Sequence, residues 1–144
     1  VQGEGYPKMA ARVKGVLDGD ATKALRVVRT EAHRVSQEGR LAAIEHAEDL
    51  GVEVERVWSA ALDDRTRDSH ADMDGQVADE DGLFHSPSGA TADAPGHFGD
   101  PAEDINCRCT IRAQVKGFAP TFRRIRGEGM VPYTTYKEWR AARK

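Results

Sequence analysis

The segment DATKALRVVRTEAHRVSQEGRLAAIEHAEDLG, residues 20–51, places the tightest limit on what this chain can fold into. Leu25, Val28, Ala32 and Val35 recur at steps of three and four, and Leu41, Ile44 and Ala47 continue the apolar face in a slightly shifted phase after Gly39. That period gathers apolar side chains into one helical stripe, which other parts of the chain must cover. Asp20 is a good N-cap, and Gly51 can adopt the left-handed conformation that ends a helix after Leu50. The pattern predicts one long amphipathic helix, with Gly39 as a candidate kink. In a chain of 144 residues, one domain's worth of material, everything else must be arranged around it.

Ahead of the helix, Met9, Val13, Val16 and Leu17 form a short amphipathic stretch that ends at the turn-like DGD, residues 18–20. After it, VEVERVWSAAL (52–62) alternates: Val52, Val54, Trp58 and Ala60 share one face while Glu53 and Glu55 take the other, the period of a strand. Asp63 or Asp64 can cap a short helix in DRTRDSHADMDG, closed by Gly75. QVADEDGLFH reads as two short strands about an Asp-Gly turn, and SPSGATADAPGHFGDP (86–101) as a long irregular loop. CRCTIRAQV alternates again, with Cys107, Cys109, Ile111, Ala113 and Val115 on one side. Thr135 and Glu138 have capping-box spacing for a terminal helix, docked by Tyr136 and Trp139 three residues apart. The expected fold class is α+β: a long N-terminal amphipathic helix packed on a small, mostly antiparallel sheet, with a short C-terminal helix.

The net charge of −3 is unevenly spread, at −10 over residues 63–104 and +6 over residues 116–144. The basic tail can fold back on the acidic middle, or meet phosphates through Arg123, Arg124 and Arg126 beside Phe118 and Phe122. No apolar run approaches the roughly 20 residues of a membrane span, and the first residues lack the apolar stretch of a secretory signal. The chain does not begin with Met, as expected of a fragment of a longer polypeptide.

The two cysteines stand in INCRC, residues 105–109. On an extended strand both sulfurs leave one face, with Cα atoms roughly 6.5–7 Å apart, the outer limit for a disulfide. Two readings then stand side by side. The thiols can be small buried core groups, like Ile111, Ala113 and Val115 on the same face. They can instead grip a tetrahedral zinc with His70 as third ligand, with His85 or His97 as the fourth and Asp72 or Asp74 as weaker candidates. The nucleobase deaminase pattern fails, because His70 is followed by Ala71 and Asp72 and the cysteines are spaced C-x-C. H-E-x-x-H, the Walker loop and G-x-S-x-G are missing too, which leaves a Cys–His nucleophile pair as the simplest catalytic alternative.

Five stretches in order, RTEAHRVSQEGR (29–40), VWSAALDDRTRDSHADMDGQV (57–77), GLFHSP (82–87), GDPAEDINCRC (99–109) and a closing YTTYKEWRAARK, resemble the phage Mu F-like head morphogenesis proteins. These are minor head proteins of tailed phages. The resemblance covers roughly residues 20–115, and divides the chain into a leader (1–19), the Mu F-like minor head domain (20–115) and a basic C-terminal extension (116–144). It marks Arg29, Glu31, Asp64, Arg65, Arg67, Asp74, Asn106 and Arg108 as family-motif polar residues. The R-T-E match suggests a polar clamp in which Glu31 or His33 meets the DDRTR segment. Many members carry C-x-x-C where this chain has Arg67 and His70, so the family's four-sulfur zinc site maps here onto His70, Cys107 and Cys109, with Arg67 unable to bind metal.

The resemblance implies a minor capsid component present in few copies. It would be assembled into the procapsid near the portal and concerned with head assembly and the packaging or ejection of DNA. Its expected partners are portal protein, major capsid protein and genomic DNA, with no membrane and no small-molecule substrate. Its expected location is the virion, in the head interior or portal vicinity, after assembly in the host cytoplasm. The expected chain is not an enzyme; the alternatives are a DNA-contacting module and a metal-dependent hydrolase or toxin-like domain. Tyr136 and Trp139 are docking residues, or an interface with the portal or coat if exposed.

Overall fold

The computed structural model describes residues 4–143 apart from 16 and 18, so Val16, Asp18 and Lys144, named above in the leader, the DGD turn and the terminal helix, lie outside the described residues. Helix α1 (Tyr6–Lys14) leads to α2 (Ala21–Asp49), which runs without interruption past Gly39. Asp20 caps α2, its carboxylate accepting from the amides of Thr22 and Lys23 at 2.9 Å. At the other end, Gly51 (φ +84°) donates to Glu48 O and Val52 to Ala47 O, the Schellman pair of bonds that satisfies the last free carbonyls.

The stripe α2 buries is Ala24, Val28, Gln37, Leu41 and Ile44. It departs from the expected face at Val35, which is 65% exposed, because at that turn the polar Gln37 is the residue that faces the body. Its side-chain oxygen accepts from the Ile111 amide (3.0 Å) and contacts the Thr110 hydroxyl (3.2 Å). A glutamine there satisfies a strand amide that a hydrocarbon would leave unpaired.

Strand β1 (Val54–Ser59) pairs antiparallel with β4 (Thr110–Val115), in register from Val54–Val115 to Ser59–Thr110. Two smaller antiparallel ladders complete the fold: β2 (Phe84–His85) with β3 (Thr91–Ala92), and β5 (Phe122–Ile125) with β6 (Gly129–Pro132). Short helices α3 (Asp68–Asp72), α4 (Pro101–Asp104) and α5 (Tyr136–Ala141) fill the connections. The class is α+β as expected, with the antiparallel pairing spread over three two-stranded ladders.

Several local expectations change. Asp63 and Asp64 do not cap α3; its N-cap is Arg67, and Asp63 instead accepts from the Arg65 amide in a turn. The Asp-Gly turn forms around Asp79, but it is not flanked by paired strands: Val77 bridges to Val57, while β2 pairs onward across SPSG. Residues 86–101 are not a free loop, since Ser86, Ala92, Ala94 and Pro95 are buried. Ala113 and Val115 are exposed because β4 runs off the edge of the core beyond Ile111. The extension at 116–144 contains the β5–β6 hairpin as well as α5, whose capping box of Thr135 and Glu138 is formed.

Trp58 is the centre of the core, fully buried, with Phe84 and His70 edge-on at 5.3 Å and Phe98 tilted at 5.8 Å. Around it pack Leu41, Ile44, Met73, Ile111, Tyr136 and Trp139, so helix, strand and C-terminal segment share one core. Tyr136 and Trp139 are buried docking residues.

Candidate metal centre

Three segments converge beside Trp58. Arg67, before α3, crosses to the C-terminal end of α4, its guanidinium donating to Glu103 O and, at 2.7 Å, to Ile105 O just beyond the helix. This clamps α3, which carries His70, against the cysteine loop. Arg67 thus spends its donors on carbonyls and not on the acidic run. Asn106 then takes a left-handed conformation (φ 58°), one that asparagine tolerates better than most residues, and turns the chain immediately ahead of Cys107. Cys107 and Cys109 therefore precede β4 instead of lying on it, and both are free buried thiols.

Nδ1 of His70 lies 3.6 Å from Sγ of Cys107 and 3.4 Å from Sγ of Cys109, and the three donor atoms all fall within 4.8 Å of one another. With Zn–S of about 2.3 Å and Zn–N of about 2.0–2.1 Å, a tetrahedral zinc separates a sulfur from a nitrogen by about 3.5 Å. The observed spacing fits that ion. On the far side of the ring, Nε2 is 2.8 Å from Oε2 of buried Glu103, an ion-pair distance, although no in-line hydrogen bond is made. A carboxylate behind a histidine is the arrangement that orients a metal-binding imidazole.

Glu103 is itself held by Ser86 (3.0 Å), Ser88 (2.6 Å) and Ser69 (3.2 Å). Burial alone would raise its carboxyl, but the hydrogen bonds from Ser88 and Ser86, the His70 ring and Ser69 outweigh that and keep it below its ordinary value. The thiols are driven apart. Cys107 is pulled down by the hydrogen bond from Cys109 and the facing rings of His33 and His70, against its burial. Cys109 is pushed up by its bond to Cys107 and by burial. A bound zinc would hold both sulfurs as thiolates.

The other expected ligands are elsewhere. His85 is exposed and held by Asp79 at 2.5 Å; His97 is held by Asp93 at 2.8 Å against α2. Neither joins the cluster among the described residues, and the same holds for Asp72, which meets Lys137, and Asp74.

Asp74 belongs to a second centre. Its carboxylate accepts from the Ala60 amide (2.8 Å), the Tyr136 amide (2.7 Å) and both terminal nitrogens of Arg123 (2.8 Å each). Arg123 also donates to the carbonyls of Ala60 (2.5 Å) and Thr134 (2.9 Å). Only 9% of the Arg123 side chain is exposed, so the expectation that it contacts nucleic acid is corrected: its donors are already used inside the protein. Arg124 and Arg126 remain exposed. Arg140 and Lys137 reach Asp68 and Asp72, so part of the basic tail does fold onto the acidic middle.

Arg29, Arg65, Arg67, Arg108 and Arg126 line a cavity of about 770 Å³ with Tyr6, His33, Asn106 and Cys107. Arg108 forms a two-pronged pair with Asp63, which holds that carboxyl below its usual value. Glu31 does not meet the DDRTR segment, since its partner is Arg34, one turn along α2. Asp64 is exposed. Three residues of the site escaped the sequence reading or were misassigned by it: Glu103, Gln37 and, as a neighbour of the cysteines, His33. Glu103 had no local signal, being one of many acids in an acidic stretch; Gln37 was visible only as a polar residue on the inward side of α2.

The family described as Phage Mu protein F like protein matches residues 1–112. Minor head protein GP7 of Bacillus phage SPP1 is 39% identical over 99% of this chain and 47% of its own length. NAD(+)--arginine ADP-ribosyltransferase EFV of Enterococcus faecalis is 34% identical over 99% of the chain and 29% of its own length. An uncharacterized protein of Haemophilus influenzae is 32% identical over 76% of the chain and 21% of its own length. The chain thus spans less than half the length of these curated relatives. No solved structure matches it.

Proposed function

Since this chain belongs to the phage Mu protein F-like family, we propose that it is a minor head component, built into the head of a tailed phage during its assembly. The observation that carries this reading is the match to a minor head protein across 99% of the chain. We place its action near the portal, with contacts to portal and major capsid proteins and a part in DNA packaging or ejection. Apolar side chains available to such neighbours are Val115, Phe118, Phe122 and Met130, 48–74% exposed at the β4 end and on the β5–β6 hairpin. No helix among the described residues is long and apolar enough to cross a membrane.

The role is structural and not catalytic. The ADP-ribosyltransferase relative shares its matched portion with a head protein and is covered over only 29% of its length, so its named activity is not carried over. Within this role, His70, Cys107 and Cys109 hold a zinc ion that fastens the cysteine loop to α3, with Glu103 orienting the imidazole. The ion supplies cross-linking, which a small domain with a modest core can use. Fractionation of phage-infected cells tests the assignment: the protein should co-sediment with procapsids and mature heads. Its presence only as free protein in lysates, with none in purified virions, would refute the assignment.

A further inference from the structure

A structural zinc takes four ligands, and the cluster supplies three. We propose that His33 is the fourth, so that the ion ties the long helix α2 to the cysteine loop. The inference rests on the zinc reading above and goes beyond it by adding a residue and an element to the site.

The first observation is an orphan. Nε2 of His33 is buried and has no hydrogen-bond partner. Buried polar groups are normally paired, so an unpartnered imidazole nitrogen is free to take a ligand. The second is location. His33 lines the same cavity as Cys107. The third is the register of α2 against the loop. Thr30 Oγ1 lies 3.5 Å from the Asn106 amide, and Gln37 accepts from the Ile111 amide. Thr30, His33 and Gln37 are spaced three and four apart, hence on one helical face, and that face runs alongside residues 106–111. His33 is the member of that series level with Cys107.

The ring is also given room. Gly96 packs against it, and a Cβ at that position would meet Cδ2 of His33 at 3.3 Å and Nε2 at 3.9 Å. Its nitrogens lie outside the 4.8 Å cluster of the other three donors, so the ion must draw the ring inward. That movement breaks no hydrogen bond at Nε2. The resulting set is two thiolates and two neutral imidazoles, whose charge cancels that of Zn²⁺ and suits a buried position.

The test uses the full chain purified with zinc present. Zinc X-ray absorption should show two sulfurs near about 2.3 Å and two imidazole nitrogens near about 2.0–2.1 Å. His33→Gln should leave a single imidazole in the spectrum and weaken zinc in chelator competition by roughly 10–100-fold or more, since even partners behind a ligand are worth that much. His85→Gln and His97→Gln should match wild type in both measurements. One imidazole in the wild-type spectrum, or a His33→Gln protein with unchanged spectrum and affinity, overturns the assignment of His33 while leaving the three-residue zinc site standing. Wild-type protein that binds no zinc overturns the zinc centre itself. Should His33→Gln fail to fold, the count of imidazoles in wild type alone decides.

Discussion

Substitution of Arg123 should destabilise this domain from the inside. The side chains of Arg123 and Asp74 are only 9% and 2% exposed, and their two-pronged contact joins β5, the end of β1 and the start of α5. Arg123→Met keeps the aliphatic length but leaves Asp74 with two backbone amides as its remaining donors, and strips the Ala60 and Thr134 carbonyls of theirs. Breaking a buried pair by removing one partner costs about 3–5 kcal/mol. For a domain whose stability is about 5–15 kcal/mol, that is a large share. Urea denaturation followed by circular dichroism should show the midpoint falling with an unchanged slope. Asp74→Ala should be comparably damaging, and the double variant should cost less than the sum of the two singles, because each single leaves the other's charge stranded. The gap between wild type and Arg123→Met should also persist in 1 M salt, where exposed pairs are screened within about 3 Å. A cost under about 1 kcal/mol, typical of an exposed ion pair, or a strictly additive cycle, would refute the reasoning and return Arg123 to the surface.

Other perturbations should separate the remaining contacts. Gln37→Ala leaves the Ile111 amide without its acceptor and should cost about 1–3 kcal/mol, with faster hydrogen exchange at that amide. Trp58→Ala, at a fully buried position, should cost about 3–5 kcal/mol in chemical denaturation. The Arg108 bond holds the Asp63 carboxyl low in the folded state, so its contribution is present above the unfolded value of about 3.9 and is lost as pH falls through the lower folded value. Asp63→Asn should therefore flatten the acid limb of stability below about pH 4, with a neutral-pH cost of about 0–1 kcal/mol because the pair is one-third exposed. Chelator should lower the melting temperature of zinc-loaded protein, and added zinc should restore it in proportion to the logarithm of its free concentration.

How much of this could be read in advance depended on how local the cause was. Helix α2 announced itself because its period and both caps lie within residues 20–52. Val35 misled because period alone cannot say which turn of a long helix has neighbours, and at that turn a glutamine met the strand amide. The β5–β6 hairpin was missed because its polarity is inverted: Arg123 and Ile125 point in while Phe122 and Arg124 point out. An arginine faces inward only because Asp74, far back in the sequence, is there to receive it. His70, Cys107 and Cys109 were legible as zinc-binding residue types, but His85 and His97 were equally so. Only the turn at Asn106 and the clamp of Arg67 determine which histidine meets the sulfurs.

The β1–β4 ladder has a consequence for how the chain acquires its shape. Ser59 cannot find Thr110, nor Val54 find Val115, until nearly all the intervening polypeptide has left the ribosome. Until then α2 has its apolar stripe uncovered, and loop-closure entropy opposes early pairing. The nascent chain is thus open to mispairing and chaperone capture until residue 115 has emerged, and truncations that stop short of it should be recovered as aggregates.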